Sequence, residues 1–320
     1  YKRLLGYHAV SQVGYMILGF GLGSAIGIAA GLFHMINNAL YKSGLFLASG
    51  NVERQTGKED IADLGDLSRA MPITFMATLV FALSISGIPP FNGFASKWMI
   101  YQGSIDFGQG GGVANQLWIV WLGLAVAGSA LTLASFIKFT GGLFLGRSSE
   151  ELKDTKEAPF LMWMPTICLA LACIFFGVFA TNFIVPKLFA GISGEFQFTG
   201  IWNSSFVSLL VVASILLGIL IYLAGSIKNF RTEDSFVGGE RSMQEQTSFT
   251  TLEFYKSFGE FRWLKWMYRK SEAKVFDLYE LLKQSILWLG KPMSRVHTGL
   301  LQDYAIWVMA GLIILLIVLM

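Results

Sequence analysis

The sequence predicts an all-α polytopic membrane protein. It should have about seven transmembrane helices, one of them broken, and an amphipathic segment on the cytoplasmic or interfacial side. Three observations carry that expectation. Of the 320 residues 54% are apolar and 14% charged, with a mean hydropathy of +0.56; an ordinary soluble domain is nearer a quarter charged. Apolar runs recur at the roughly 20 residues that a helix needs to cross a bilayer. Of the 24 Lys and Arg, 21 fall in loops or at span ends, which leaves Lys42, Lys97 and Lys138 inside three successive apolar segments. An ammonium in hydrocarbon is costly unless it faces protein or water, so an intramembrane lysine is a functional-site hypothesis.

The expected crossings run in order. The first is about 3–22 and the second about 24–50. The third, about 73–104, is interrupted. The fourth is about 115–146, the fifth 157–184, the sixth 203–226, and the last, a short one, 303–320. With the N-terminus inside, one set of loops holds 20 Lys and Arg and the other only Lys187. The positive-inside rule then reads N-terminus in and C-terminus out. That count requires the interrupted third segment to be one crossing.

The segment 227–301 carries most of the remaining charge. Gly238, Gly239 and Pro292 are expected to prevent one unbroken helix there. Within 274–290, Val275, Leu278, Tyr279, Leu282, Ile286 and Leu289 recur at helical spacing, the pattern of an amphipathic helix. Trp263, Trp266 and Tyr268 with Arg262, Lys265, Arg269 and Lys270 read as a membrane-surface anchor, or equally as a strap against the bundle or a partner. Cys168 and Cys173 share one apolar span and have neither metal spacing nor disulfide logic. No haem, iron–sulfur, P-loop or Rossmann pattern is present, so redox or nucleotide chemistry is expected elsewhere, and no nucleic-acid partner is expected. The chain begins at Tyr1 with Lys2-Arg3 running straight into a helix, which reads as the C-terminal part of a longer protein.

Chemistry concentrates in the lysine-bearing spans. His34, Asn38 and Lys42 stand at i, i+4 and i+8 and share one helical face. His34 and Lys42 are then roughly 12 Å apart along the axis, a gap that water and Asn38 could bridge. Both residues carry protons; the alternative is a histidine bonded in a helix interface and a lysine snorkelling to the surface. In the third span Gly87, Pro89, Pro90, Asn92 and Gly93 interrupt the helix. At membrane depth such a break must be buried in protein or line a wet cavity, and broken helices mark ion sites in transporters. Lys97 is expected in the first turn of the second half-helix, where the positive end of the dipole opposes its charge. It could there load and release a proton, or the break could be a structural kink beside a snorkelling lysine. Lys138, with Ser135 at i−3 and Thr132 on the same face, is a relay candidate or a snorkeller. His8 lines a water inlet or makes an ordinary polar helix contact; His297 reads as structural. All 21 Asp and Glu fall in loops or at span ends, so the three lysines have no buried counter-ion here.

The stretches Lys2-Arg3-Leu-Leu-Gly-Tyr7-His8-Ala-Val-Ser11-Gln12-Val-Gly14-Tyr15, Phe33-His34 through Lys42 to Gly50, and Ser86-Gly-Ile-Pro-Pro-Phe-Asn-Gly93-Phe-Ala-Ser-Lys97 occur in the order of a known family. The chain resembles the antiporter-like, proton-translocating membrane subunits of respiratory complex I, of energy-converting membrane-bound hydrogenases of the formate hydrogenlyase and hydrogenase-4 type, and of Mrp sodium/proton antiporters. The resemblance is specific over about 1–146. It implies a bundle of about fourteen helices with two inverted five-helix repeats, each holding a broken helix. Residues 1–146 would be the second repeat, a half-channel broken within 73–104. Residues 147–226 would be additional transmembrane helices, 227–301 an amphipathic cytoplasmic-side segment, and 302–320 the C-terminal transmembrane helix. The family's central lysine and relay histidine map onto Lys42 and His34. A second relay histidine of some members is Asn38 here, and the terminal residue on the broken helix maps onto Lys97. Ile88-Pro-Pro-Phe-Asn-Gly-Phe-Ala-Ser-Lys-Trp and Phe236-Val-Gly-Gly-Glu240 lean towards hydrogenase-type complexes.

The resemblance implies a subunit of a redox-driven pump, a membrane oxidoreductase or translocase, that itself carries no cofactor. Its partners would be other membrane and peripheral subunits holding iron–sulfur clusters and NiFe or flavin, with the lipid bilayer around it. Protons would be the cargo, or Na+, across a prokaryotic cytoplasmic membrane. The alternatives are an Mrp-type sodium/proton antiporter subunit without redox coupling, and a non-conducting scaffold whose lysines pair with a neighbour's acids.

Overall fold

The computed structural model describes residues 1–145, 152, 154–193, 198, 204–224, 261–273, 275, 277–296 and 299–319. The described residues are all-helical, and four helices are long and apolar enough to cross a membrane: Val113–Leu145, Phe160–Val178, Phe206–Ala224 and Leu301–Leu319. The protein is a polytopic membrane protein.

The chain divides into two units, Tyr1–Phe254 and Tyr255–Met320. The first holds α1 (Lys2–Gly21), α2 (Ala25–Thr56), a single helical turn α3 (Leu67–Ala70), α4 (Pro72–Ser86), α5 (Asn92–Gly108), α6 (Trp118–Thr140), α7 (Phe160–Val178), α8 (Val185–Ser193) and α9 (Ser204–Ala224). The second holds α10 (Arg262–Glu272), α11 (Leu278–Val296) and α12 (Leu301–Leu319).

Helix α2 is the hub of the first unit and packs against α1, α4, α5, α7 and α8. Its N-terminus is fixed by Ser24, whose hydroxyl accepts from Gly27 N at 3.2 Å. Gly57 in the left-handed region ends it. Close approach to α1 follows from small residues: a Cβ on Gly19 would lie 2.9 Å from Gly31 backbone. The half-buried Glu157, in the loop before α7, holds the start of α4. Its carboxylate accepts from Ile73 N at 2.8 Å, Thr74 N at 3.2 Å and Thr74 Oγ1 at 2.6 Å. Those amide donors have no partner within their own helix.

The interruption between α4 and α5 is narrower than the sequence suggested. It runs from Gly87 to Phe91 and contains a cis Pro89–Pro90 peptide. Gly87, at φ +81°, caps α4 in the left-handed region, and Ile88 N donates to Leu83 O at 3.0 Å. Asn92 and Gly93, expected inside the break, are the first two residues of α5. The prolines end one helix, and Phe91, in an extended conformation, starts the next immediately. Lys97 therefore stands in the second turn of α5, not the first. The break is half-buried, with Pro90 buried, and α7 presses on it: a Cβ on Gly177 would lie 2.1 Å from Pro90 O.

In the second unit, Arg262, Trp266, Arg269 and Lys270 line one recess on α10, and Trp266 and Tyr268 are exposed. Pro292 lies inside α11 and does not end it. Gly238, Gly239, Phe236 to Glu240 and His297 lie outside the described residues.

Candidate functional site

Polar side chains of α1, α2 and α5 meet in the first unit. Gln12 and His34 are fully buried on facing helices, and Gln12 Oε1 lies 3.1 Å from His34 Nε2. The other ring nitrogen, Nδ1, lies 2.9 Å from Ser96 Oγ on the broken helix. Tyr41 Oη donates to Gln12 Oε1 at 3.2 Å and lies 3.5 Å from His34 Nε2.

These contacts assign the tautomer. Gln12 Oε1 can only accept, and its amide nitrogen donates to Ser11 Oγ at 3.3 Å. Nε2 of His34 therefore carries the hydrogen and donates to Gln12. Nδ1 is left as an acceptor, and Ser96 donates to it. Carbonyls of Gly93 and Asn92 stand 3.3 and 3.4 Å from the same hydroxyl, so Ser96 has other acceptors in reach.

One turn along α2, Asn37 locks to the start of α5. Its Nδ2 donates to Asn92 O at 2.9 Å, and Asn92 Nδ2 donates back to Asn37 Oδ1 at 3.1 Å. All four side chains of this junction, Asn37, Asn92, His34 and Ser96, are fully buried. A Cβ on Gly93 would lie 1.8 Å from Ser84 O, so glycine is what allows the two half-helices to approach.

Lys97, 2% exposed, donates from Nζ to Ile85 O at 2.9 Å and sits over the Tyr15 ring, 4.7 Å from its centroid. Its stem passes over Gly87, where a Cβ would come within 2.9 Å of Lys97 Cδ. Lys42 is also buried; its Nζ donates to Leu5 O and lies 5.9 Å from the Phe46 ring centroid. No carboxylate pairs with either lysine among the described residues.

No hydrogen bond joins His34 to Lys42 through Asn38 among the described residues. Asn38 Oδ1 is buried without a partner among the described residues. The link on this side of His34 runs through Tyr41, the residue before Lys42, and through Gln12. Tyr41 is at i+7 from His34 and so shares its face, and a phenol reaches farther than a carboxamide. Lys138 is half-buried in the last turn of α6, and Thr132 spends its hydroxyl on Gly128 O at 2.7 Å. His8 faces a recess of about 730 Å³ lined with Tyr1, Lys2, Arg3, Asp60 and Ser135. Its ring packs against Phe136 at a tilt of 49°, centroids 4.9 Å apart, and Nδ1 has no partner among the described residues.

Gln12, Tyr41, Ser96 and Asn37 complete the junction and were not singled out as site residues from the sequence. The signal was there: each is a polar group within an otherwise apolar span, where an unpaired one is expensive. Their pairing across helices needed the fold.

Residues 1–123 match the family described as NADH:quinone oxidoreductase/Mrp antiporter, TM. Formate hydrogenlyase subunit 3 of Escherichia coli (strain K12) is 35% identical over 205 residues, which is 60% of this chain and 33% of that protein. Na(+)/H(+) antiporter subunit A1 of Staphylococcus haemolyticus (strain JCSC1435) is 35% identical over 251 residues, 70% of this chain and 31% of that protein. A chain of the membrane-bound sulfane sulfur reductase, an archaeal respiratory membrane complex, superposes with a TM-score of 0.65 at 27% identity, over 98% of this chain and 51% of its own. The chain thus spans about a third of the length of these curated relatives and about half of that structural one. The junction of His34, Ser96 and Lys97 lies inside the matched residues.

Proposed function

We propose that this chain is an antiporter-like subunit of a redox-driven ion pump of the complex I or membrane-bound hydrogenase type. It moves protons and performs no redox chemistry. It crosses the membrane seven times, with its N-terminus in the cytoplasm and its C-terminus outside. Protons enter by the recess at His8 and load Lys42. They pass the Tyr41–Gln12–His34 cluster to Ser96 and Lys97 at the broken helix and leave on the far side, with Lys138 as a further candidate link. Partner subunits carry the iron–sulfur clusters and the NiFe or flavin centre.

The single observation that carries this reading is the buried junction. A histidine bonded on both ring nitrogens joins two helices to a broken third, next to a buried lysine with no acid at hand. A purely structural core has little reason to retain an unpaired lysine, whereas a relay needs a cation that can come and go. The redox arm is supported by the superposition on a respiratory membrane complex over nearly the whole chain. A second reading, an Mrp-type exchanger without an electron donor, is favoured by the antiporter match, which covers more of this chain than the hydrogenlyase match does.

The test is Lys97→Met in the assembled complex, reconstituted in proteoliposomes. Proton translocation should vanish while assembly is retained. Unchanged translocation would sink the relay and leave a scaffold. Copurification with iron–sulfur and NiFe or flavin subunits separates a redox pump from an exchanger, which would instead give sodium-dependent, redox-independent exchange.

A further inference from the structure

The hydroxyl of Tyr15 points away from Lys97 into a cluster that the relay does not use. Tyr15 Oη lies 2.5 Å from Ala125 O and 3.0 Å from Ser129 Oγ, and Tyr101 Oη lies 2.7 Å from the same Ser129 Oγ. Three hydroxyls within hydrogen-bond reach suggest a proton wire out of Lys97. The placement of hydrogens excludes it. A carbonyl oxygen only accepts, so Tyr15 donates to Ala125. Tyr15 then has no hydrogen left for Ser129, and Ser129 must donate to it. Ser129 is spent in turn, and Tyr101 must donate to Ser129. The order is fixed: Tyr101 to Ser129 to Tyr15 to Ala125 O. It ends on a backbone carbonyl, which passes nothing on. Beyond it lies a mainly apolar groove of about 530 Å³ lined by Leu18, Trp121, Leu124 and Gly128.

Such a directed chain clamps. It joins α1, α5 and α6 through one phenol, and it fixes the plane of the Tyr15 ring. A Cβ on Gly128 would come within 3.0 Å of that phenol oxygen, so the clamp is tightly enclosed. The ring's face is turned to Lys97 Nζ at 4.7 Å, and its centroid lies 5.4 Å from that of His34. Tyr15 is 6% exposed and Lys97 2%, so the contact is removed from water, where a ring quadrupole attracts a cation most strongly.

We propose that Tyr15 is a positioning residue that serves Lys97 in place of an acidic counter-ion, none of which pairs with it among the described residues. Its clamped ring face, with the Ile85 carbonyl, holds the charged form of Lys97 between the arrival and release of each proton. A carboxylate would bind the ammonium too firmly and keep it charged; a ring face attracts it and lets it discharge. This rests on the reading of Lys97 as a relay residue.

The test replaces Tyr15 in the assembled complex with phenylalanine and then with mono-, di- and trifluorophenylalanine. Fluorine withdraws charge from the ring face and hardly alters its volume, so packing alone predicts a flat series. Proton translocation should fall with each added fluorine and reach about a tenfold loss between Phe and trifluoro-Phe, a decrement in line with a desolvated cation–π contact. Lys97→Met is measured beside it. If that variant still pumps, the relay reading fails and this inference with it. If that variant is inactive and the fluorinated series is flat, the relay stands and the role of Tyr15 is overturned. Because the series is nearly isosteric, it does not depend on a Tyr15→Leu variant folding.

Discussion

Gly93→Ala should separate the two half-helices and disable the junction they form. The added Cβ would stand 1.8 Å from Ser84 O, and contacts under 3.0 Å are essentially never found. The obstacle is a backbone carbonyl in the last turn of α4, so no side chain can swing aside. Helix α5 must move by more than an ångström. Ser96 lies 2.9 Å from His34 Nδ1, and Lys97 Nζ lies 2.9 Å from Ile85 O. An added ångström takes both beyond hydrogen-bonding distance. Overpacking of this kind costs about 1–3 kcal/mol. A misplacement of about 1 Å in a working site costs on the order of a hundredfold in rate. Gly50→Ala is the control, because nothing lies within 4 Å of its Cβ. Thermal unfolding of the solubilised complex and proton translocation in proteoliposomes are compared for the two variants. Gly93→Ala should lower the unfolding temperature and suppress translocation, and Gly50→Ala should do neither. If Gly93→Ala matches the parent in both measurements, the close approach of α4 and α5 is not what positions Ser96 and Lys97.

Three further variants probe other joints. Asn37→Ala removes both bonds to Asn92 and leaves a fully buried amide unpaired, so thermal unfolding should report a loss of about 1–3 kcal/mol. Glu157→Ala takes three acceptor contacts from the start of α4 and should cost about 1–2 kcal/mol; an unchanged unfolding temperature would mean that water serves those amides equally well. Ser96→Ala removes the donor to His34 Nδ1 without altering backbone packing. Translocation should fall severalfold with thermal stability nearly kept, and equal losses in both would make Ser96 a packing residue only.

The helical plan was legible because hydropathy, glycine and proline act locally. The ends expected for the crossings lie within about four residues of those of α1, α4, α5, α9 and α12, whereas the fifth, expected at 157–184, meets a shorter α7 at Phe160–Val178. The prolines marked the break, but its far edge was set by Phe91, and Asn92 and Gly93 turned helical because α2 and α4 hold them from outside. Pro292 was misjudged for a related reason: a proline removes one hydrogen bond and can still be carried within a helix. At the site, periodicity put His34, Asn38 and Lys42 on one face. It carried no information about which partner helix would meet that face. The pairings of Gln12, Ser96 and Tyr15 come from segments far apart in sequence, and they were invisible until the bundle was assembled.

The broken helix also bears on how His34 could take up a proton. In its neutral form Nδ1 accepts from Ser96, and a proton arriving there would meet the hydroxyl hydrogen. The hydroxyl must therefore turn away, and it needs another acceptor. Gly93 O and Asn92 O are already at 3.3 and 3.4 Å. Asn92 O is occupied by the Asn37 amide, which leaves Gly93 O as the freer of the two. A single hydroxyl rotation then converts the site from one that fits a neutral ring to one that fits a charged ring, with no movement of helices. Lys97, the next residue after Ser96, would feel that charge directly. Both groups pack against the Tyr15 ring, and two cations sharing such a low-dielectric site repel each other. Under the relay proposed above, a proton on His34 would favour the discharge of Lys97. That no carboxylate pairs with Lys97 among the described residues is what would make that displacement strong.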